Sequence, residues 1–281
     1  MSWKADVEKF EAEHPWPSQV GVGSLFRFQS VNRDKRHYLE HLFVDSKLYH
    51  ATANQLNDPF ECRPYFNWPS DPKEIKEMRK HLRGLLKARG LSHKRADAQV
   101  SKLMSNPGSI HEAIAESATN TFARARICSF TTSNKNLLFW SHYARSHEGF
   151  CIEFDASILP ISYAFKVRYV EKYPEIKYPA PSDKRGLRPL LLKSKDWEYE
   201  NEFRTIFYPT AKTGPNNDGV SLILSGSEVK NVYFGARMEN VDKELIVSLI
   251  EKGPFNPGLW NAVLSKTSYG LDFEPYSEKD S

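Results

Sequence analysis

The chain has 281 residues, which is enough to bury a full hydrophobic core and to form one large domain or two small ones. Its hydrophobic content of 40% and mean hydropathy of −0.58 are those of an ordinary globular protein and exclude a fibrous or intrinsically disordered chain. The formal net charge is only +4, the N-terminus is charged, and no apolar run approaches the ~20 residues of a membrane-spanning helix, so we expect a cytoplasmic protein with no membrane partner.

The N-terminal part of the chain is expected to form short helices and strands. The predicted elements are, in order, a helix over 4–13, a strand over 25–29, a helix over 34–42 and a strand over 48–52. The sequence Asn-Asp-Pro-Phe-Glu at 57–61 predicts a turn, because Asn and Asp bond their own backbone and Pro interrupts regular structure.

Residues 71–125 have a helical pattern. Asp71 suits an N-cap and Pro72 suits the first helical position, and a second helix with a capping box is predicted to begin at Ser109. Between residues 72 and 103 the chain has ten basic and three acidic residues, so this segment carries most of the basic character. We interpret 71–125 as a basic helical arm inserted into a β-rich body.

Two stripes are predicted on the first helix of the arm. One stripe is basic and consists of Lys76, Lys80, Arg83 and Lys87. The other is apolar, is expected to dock on the body, and consists of Ile75, Met78, Leu82 and Leu85. The shortage of balancing acids predicts that the arm at 72–103 contacts a polyanion such as nucleic acid, although most charged stripes are solvated helix faces.

The remainder of the chain is expected to be rich in strands. Strands are predicted over 126–131, 149–154, 165–169, 197–208, 220–224, 229–234 and 268–273, with helices near 137–144 and 241–252. Strands and helices do not alternate regularly as in βαβ units, which indicates an α+β fold within a single domain spanning 1–281. The three cysteines lack a C-x-x-C spacing and are expected to be buried, reduced thiols: Cys62, Cys128 and Cys151.

The most informative segment runs from Trp197 to Arg204. In an extended chain, alternate side chains share one face, and here that face would carry Glu198, Glu200, Glu202 and Arg204. Three carboxylates about 7 Å apart repel one another, so a purely structural sheet gains little from them. The pattern predicts a strand that lines a cleft, and a solvated edge strand is the structural alternative.

Three blocks of sequence carry a family resemblance. They are Leu48–Ala51 with Asn57–Glu61; Cys128–Phe130 with Leu138–Ala144 and His147–Phe154; and Lys193 with Trp197–Arg204. In this order the blocks resemble the bacterial domain-of-unknown-function family 2971 over about residues 48 to 235. Members of that family recur in phage-defence settings, so the resemblance implies a defence effector or toxin, for which a neutralising partner protein is a further expectation.

A second similarity suggests a reaction. ADP-ribosyltransferase folds carry a His or Arg on the first core strand, a Ser or aromatic block in the middle and a Glu-x-Glu on a later strand. The parts of this chain that match that order are Tyr49 with His50, Ser129 with Trp140 to Tyr143, and Glu200 with Glu202. The similarity implies a β-rich ADP-ribosyltransferase-like core and NAD as a substrate.

The chemistry of NAD cleavage gives each candidate a role. Breaking the bond between nicotinamide and ribose builds positive charge on the sugar, which a carboxylate stabilises. The predicted roles are Glu202 against the ribose, Glu200 orienting the acceptor, and Arg204 holding Glu202 or a phosphate. The predicted cofactor contacts are His50 with Tyr49 near the adenosine ribose, Ser129 in the middle block, and Trp140 or Tyr143 stacked on nicotinamide.

Each candidate also has a structural alternative. His50 could be a satisfied structural histidine, and Trp140 could belong to the core. His142 and His147 are five positions apart and do not superpose on a helix face, so a preformed metal site is not expected.

Two further hypotheses stay open. The first is a metal-dependent nuclease in which four carboxylates bind Mg²⁺, namely Asp58, Glu61, Glu200 and Glu202, while the arm holds the nucleic acid. The second is a non-catalytic module that binds a nucleotide or a phage component.

Overall fold

The computed structural model describes residues 3–63, 65–173, 175–177, 184–209 and 216–277. Its helices are α1 (Trp3–Glu13), α2 (His37–Phe43), α3 (Pro72–Ala88), α4 (His93–Met104), α5 (Pro107–Ala123), α6 (Leu137–His142) and α7 (Asn240–Ile250). Its strands are β1 (Ser24–Gln29), β2 (Lys47–Tyr49), β3 (Tyr65–Asn67), β4 (Arg126–Phe130), β5 (Phe150–Asp155), β6 (Phe165–Lys166), β7 (Arg168–Val170), β8 (Glu175–Lys177), β9 (Leu192–Ser194), β10 (Phe203–Phe207), β11 (Ser221–Ile223), β12 (Val229–Phe234), β13 (Gly258–Leu264) and β14 (Leu271–Pro275). The α+β class expected from the sequence is confirmed.

The largest sheet has the strand order β1-β5-β12-β13-β14. Its neighbouring strands are antiparallel except for the parallel pair β12 and β13. Phe150 to Phe154 of β5 are all buried, because this strand is covered on both faces. One face packs against α2 and α7 through Phe43 and Ile246, and the other face packs against α6 through Trp140.

A second sheet, with the order β4-β10-β6, positions the candidate site. Arg204 of β10 pairs with Ser129 of β4. An isolated bridge between Phe26 and Thr131 joins this sheet to β1, and another between Ala51 and Ile127 joins it to the segment after β2. Candidate residues from blocks that are distant in the sequence, such as Ser129 and Arg204, are thus brought together on one sheet. The remaining described pairs are β2 with β11, β3 with β8 and β7 with β9.

The segment between α6 and β5 makes a close backbone approach that fixes α6. Arg145, Ser146 and His147 all have positive φ angles, of 47°, 54° and 71°. A Cβ atom at Gly149 would lie 2.2 Å from the carbonyl oxygen of Gln29, so only glycine fits there. This approach holds α6, and the Tyr143 that follows it, against the largest sheet.

The arm contains three helices, not the two predicted. Asp71 caps α3 as expected, since its Oδ1 accepts hydrogen bonds from the backbone N–H groups of Lys73 (2.8 Å) and Glu74 (3.0 Å). Met78 and Leu82 of α3 pack against Val100 of α4. The prediction that this stripe docks on the body was therefore wrong, because α4, which the sequence pattern did not separate, covers it.

The structure differs from the predicted elements in two more places. The helix expected over 34–42 begins at His37, after a short 3-10 turn over Arg33–Lys35. The strand β13 was not predicted, because Gly258–Leu264 lacks a clean apolar alternation. Among the described helices, none is long and apolar enough to cross a bilayer.

Candidate functional site

The acidic segment is not one extended strand. Lys195–Glu200 form a 3-10 helix, Asn201 adopts the left-handed conformation with φ 44°, and β10 begins only at Phe203. Glu198 is consequently exposed, while Glu200, Glu202 and Arg204 are buried. The single-face ladder predicted from the sequence was wrong, because the turn directs Glu200 and Glu202 towards buried cations and leaves Glu198 in solvent.

Five charged residues meet in what we call the carboxylate cluster: Glu61, Lys193, Glu200, Glu202 and Arg204. The Nζ atom of Lys193 lies 3.1 Å from Glu61, 2.6 Å from Glu200 and 3.4 Å from Glu202. Arg204 donates from Nε (2.6 Å) and Nη2 (2.9 Å) to Glu202, and it also bonds to Glu61. Three carboxylates thus share two cations, which leaves one net negative charge.

The two acidic residues of the Glu-x-Glu pair have different electrostatic environments. Burial alone would raise the pKa of Glu202, but the charges of Arg204 and Lys193 outweigh it and hold this pKa at about 2. Burial raises the pKa of Glu200 above its ordinary value, and the neighbouring Glu202 charge adds to that rise against the opposing effect of Lys193. Glu202 is therefore a fixed anion, and Glu200 is the carboxyl that gains a proton more readily.

Lys193 is the cation that links the three carboxylates. Burial lowers its pKa, but Glu202 and Glu61 outweigh burial and raise the pKa above its ordinary value. The ring of Trp197 lies 4.8 Å from its Nζ atom and covers the ammonium group. Lys193 is therefore charged and held in place.

Tyr143 connects Glu200 to the protein surface. Its hydroxyl donates to Oε1 of Glu200 (2.6 Å) and accepts from Nδ2 of Asn57 (3.1 Å). Burial and the bond to Glu200 raise the pKa of Tyr143. Tyr143 is half-buried and Asn57 is exposed, so this chain of hydrogen bonds leads from solvent to the carboxylate cluster.

Further bonds fix the backbone and side chains around the cluster. Ser129 pairs with Arg204 across the sheet and its side chain helps to lower the pKa of Glu202. Thr131 donates from its hydroxyl to the carbonyl oxygen of Glu200 (2.7 Å). The backbone N–H of Glu202 donates to the Tyr169 hydroxyl (2.8 Å). Ser129, predicted as a cofactor contact, therefore belongs to the support of Glu202.

His50 and Tyr49 do not join the cluster. His50 is fully buried, and its Nδ1 lies 2.8 Å from the carbonyl oxygen of Leu48, so Nδ1 carries the proton. Its Nε2 then accepts from the Thr205 hydroxyl at 2.8 Å, and burial lowers the pKa of the ring to about 3. Both nitrogens are used, which matches the structural alternative and leaves neither for a ribose. The hydroxyl of Tyr49 donates to Gln55 (3.0 Å).

Trp140 lies in the core, which is the alternative that the sequence left open. It is 0% exposed, its ring meets Phe28 edge-on at 5.0 Å, and its Nε1 donates to the carbonyl oxygen of Asn134 (2.7 Å). A ring so enclosed offers no face for a nicotinamide to stack on.

The carboxylates of the nuclease hypothesis are largely engaged by protein groups. Glu61, Glu200 and Glu202 bond to the two cations, while Oδ1 of Asp58 accepts from the backbone N–H of Phe60 (2.8 Å). Within the described part of the chain, no three His, Cys, Asp or Glu residues form a group that could hold a metal ion. All three cysteines are buried and unpaired as expected, and burial raises the pKa of Cys62 and Cys128 to about 11.

The basic stripe is only partly available for a ligand. Lys76, Lys80 and Lys87 are exposed, whereas Arg83 bonds to Asp97 of α4. The basic stripe predicted along α3 is thus present, but one of its four residues, Arg83, already pairs with Asp97 within the arm.

Comparison with known proteins confirms the family resemblance. A family model described as "Protein of unknown function (DUF2971)" matches residues 139–205, the range that contains Tyr143, Lys193 and the Glu-x-Glu pair. No curated protein and no solved structure matches the chain.

Sequence reasoning gave two residues of the cluster too small a role. Lys193 was assigned only to the blocks that carried the resemblance, and Glu61 only to those blocks and to the possible metal ligands. Both lie in the blocks that carried the resemblance, so the co-occurrence of Asn57–Glu61 with Lys193 was the signal that could have brought them together.

Proposed function

We propose that the chain is an NAD-consuming enzyme, an ADP-ribosyltransferase or NAD glycohydrolase, that acts as an effector in phage defence. The observation that carries this proposal is the carboxylate cluster, in which Glu200 is connected to the surface through Tyr143 and Asn57. The defence setting rests on the family resemblance over residues 139–205.

The geometry supports a different division of roles within the Glu-x-Glu pair from the one the sequence suggested. Glu202 is bonded by Arg204 and Lys193, so its charge is already used inside the protein. Glu200 has fewer cationic partners and adjoins the half-buried Tyr143. We therefore assign to Glu200 the stabilisation of positive charge on the ribose, and to Glu202 with Arg204 the support of that carboxylate.

Enzyme assays with matched variants test this proposal. Glu200→Gln keeps the side-chain shape and removes the charge, and it should lower NAD turnover by ~10²-fold or more. Glu198→Gln is the matched control, because Glu198 lies two positions away and is exposed. Nicotinamide release and mass addition to an acceptor protein are the measurements. Wild-type turnover by the Glu200 variant, or no turnover by the wild-type protein, would reject the proposal.

Every carboxylate of the cluster contacts a cation, which favours one other candidate, a non-catalytic binding module with a structural ion network. Under that hypothesis Glu200→Gln changes stability and ligand affinity, and the wild-type protein releases no nicotinamide. Measuring the melting temperature and the nicotinamide release of the wild-type protein and of Glu200→Gln therefore distinguishes the enzyme from the binding module.

We also propose that the arm binds nucleic acid through exposed lysines. Lys76, Lys80 and Lys87 present one charged face of α3 to solvent. Reversing these three residues to Glu should weaken DNA or RNA binding. It should also reduce the slope of log affinity against log salt by about 0.7 to 0.9 for each phosphate that the arm no longer neutralises. NAD turnover should not change. Equal binding by parent and variant at low salt would assign this face to solvent.

A further inference from the structure

The turn formed by residues 57–61 is anchored on both sides of Glu200. At one end Asn57 donates to the hydroxyl of Tyr143, and at the other end Glu61 bonds to Lys193 (3.1 Å). Tyr143 and Lys193 are also the two groups that bond to the Glu200 carboxylate. The 57–61 turn therefore spans the side of the carboxylate cluster on which Glu200 lies.

The backbone of the turn is held by its own hydrogen bonds. Asp58 is buried, its Oδ1 accepts from the N–H of Phe60 (2.8 Å), and its carbonyl oxygen accepts from the N–H of Glu61 (3.2 Å). Pro59 restricts φ at the position between them. Phe60 is thus presented in a fixed place between two anchored residues.

The Phe60 side chain is 65% exposed although it is large and apolar. Among the described rings, none packs against it. Exposure of one apolar side chain is common by itself. Here the exposed ring belongs to the residue directly before Glu61 of the carboxylate cluster, in a turn whose hydrogen bonds hold its backbone, so the turn offers an aromatic surface in a fixed place.

The charge of the carboxylate cluster indicates which kind of ligand ring would bind best beside Phe60. Three carboxylates share two cations, so one negative charge is not offset. A positively charged aromatic ring would stack on a phenyl face and offset this charge.

We infer that Phe60 is the stacking surface for a planar, positively charged heterocycle bound at the 57–61 turn. The inference rests on the proposed function, because the nicotinamide ring of NAD⁺ is such a group. Phe60 takes the position that the sequence had suggested for Trp140, whose ring is enclosed by the core.

A pair of probes that differ in charge tests the inference. The cation 1-methylnicotinamide and the neutral nicotinamide are titrated into the full chain, with binding followed by ligand-observed NMR. The cation should bind more tightly, Phe60→Ala should weaken its binding ~10-fold or more, and Phe60→Tyr should retain it. Melting temperature should not change in either variant. Tyr269→Ala is the control, since Tyr269 is a fully exposed aromatic on the loop between β13 and β14.

The outcomes separate this inference from the proposed function. Equal binding of the cation by the parent and Phe60→Ala, or no binding of either probe by the parent, overturns the inference even if NAD is turned over. Phe60-dependent binding of the cation without release of nicotinamide from NAD supports the inference and rejects the proposed reaction.

Discussion

Two buried glutamates of this protein each accept a hydrogen bond from a tyrosine, yet their pKa values move in opposite directions. Glu200 is bonded by Tyr143 (2.6 Å), and Glu153 is bonded by Tyr233 (2.7 Å). Burial raises the pKa of Glu200 above its ordinary value. Burial acts in the same direction on Glu153, but its hydrogen bonds outweigh burial and lower the pKa.

The difference lies in the remaining neighbours. Glu153 also accepts from Ser24 (2.6 Å) and Asn231 (2.8 Å), which are neutral donors, and Lys230 lies 3.8 Å from it. It has no carboxylate beside it among the described contacts. Glu200 shares its cation Lys193 with two other carboxylates, one of which is the fixed anion Glu202. A tyrosine bond therefore does not determine ionisation. The balance of burial, hydrogen bonds and neighbouring charges does, and it distinguishes a structural carboxylate from a candidate reactive one.

The largest expected effect comes from removing a cation of the cluster. Arg204→Met leaves Glu202 and Glu61 buried without their guanidinium partner, so the free energy of unfolding should fall by ~3–5 kcal/mol. Denaturant unfolding measures this. The control is Arg33→Met, which removes the two ion pairs of an exposed arginine, with Glu239 and Asp242, and should unfold near the wild-type midpoint. Similar midpoints for both variants would show that the cluster is not a tightly coupled network.

The next largest effect on the free energy of unfolding is expected from removing the hydroxyl group of either tyrosine. Tyr233→Phe removes a donor to an ionised carboxylate and should lower the free energy of unfolding by ~2 kcal/mol. Tyr143→Phe should cost less, about 1 kcal/mol, because Tyr143 is half-buried and water can replace its hydroxyl, whereas Tyr233 is buried. Denaturant unfolding at neutral pH decides the order of the two variants, and a larger decrease for Tyr143→Phe would reverse the comparison.

His50 is a buried base, and in contrast to Glu200 its hydrogen-bond partners are all neutral. Its pKa is lowered to about 3 by burial, whereas in the unfolded chain it takes a proton near pH 6.5. Stability is therefore present above pH 6.5 and is lost as the pH falls towards 3, by about 1.4 kcal/mol per pH unit in the middle of that window. Unfolding of wild-type and His50→Gln proteins at pH 5.5 and 4.5 measures the difference. An equal decrease in the two proteins would mean that His50 is not held neutral.

Local patterns predicted the parts of this structure that depend on neighbouring residues. Asp71 and Pro72 start α3 where the capping rules place them, and the turn at 57–61 follows from its Asn, Asp and Pro. Glu200, Glu202 and Arg204 also meet, although through a 3-10 helix and a left-handed residue and not through one strand. The spacing in the sequence identified these three residues, but it did not predict the backbone conformation that brings them together.

The rest depends on contacts between distant segments. Arg204 and Glu61 are 143 positions apart, and no periodicity connects them. His50 and Trp140 have residue types that fit a ligand site, and only their burial assigns them to the interior. Phe60 became a candidate for the opposite reason, since its exposure appears only in the folded chain.

The contrast between Glu200, the readily protonated carboxyl of the site, and Glu153, its structural counterpart, is central to the proposed chemistry. A titration of ¹³C-carboxyl-labelled glutamates by NMR, with the two signals assigned from Glu200→Gln and Glu153→Gln, tests it most directly. We predict that the Glu200 signal titrates above the ordinary pKa of a glutamate and that the Glu153 signal titrates below it. Titration of Glu200 at or below the ordinary value, or of Glu153 above it, would contradict this claim.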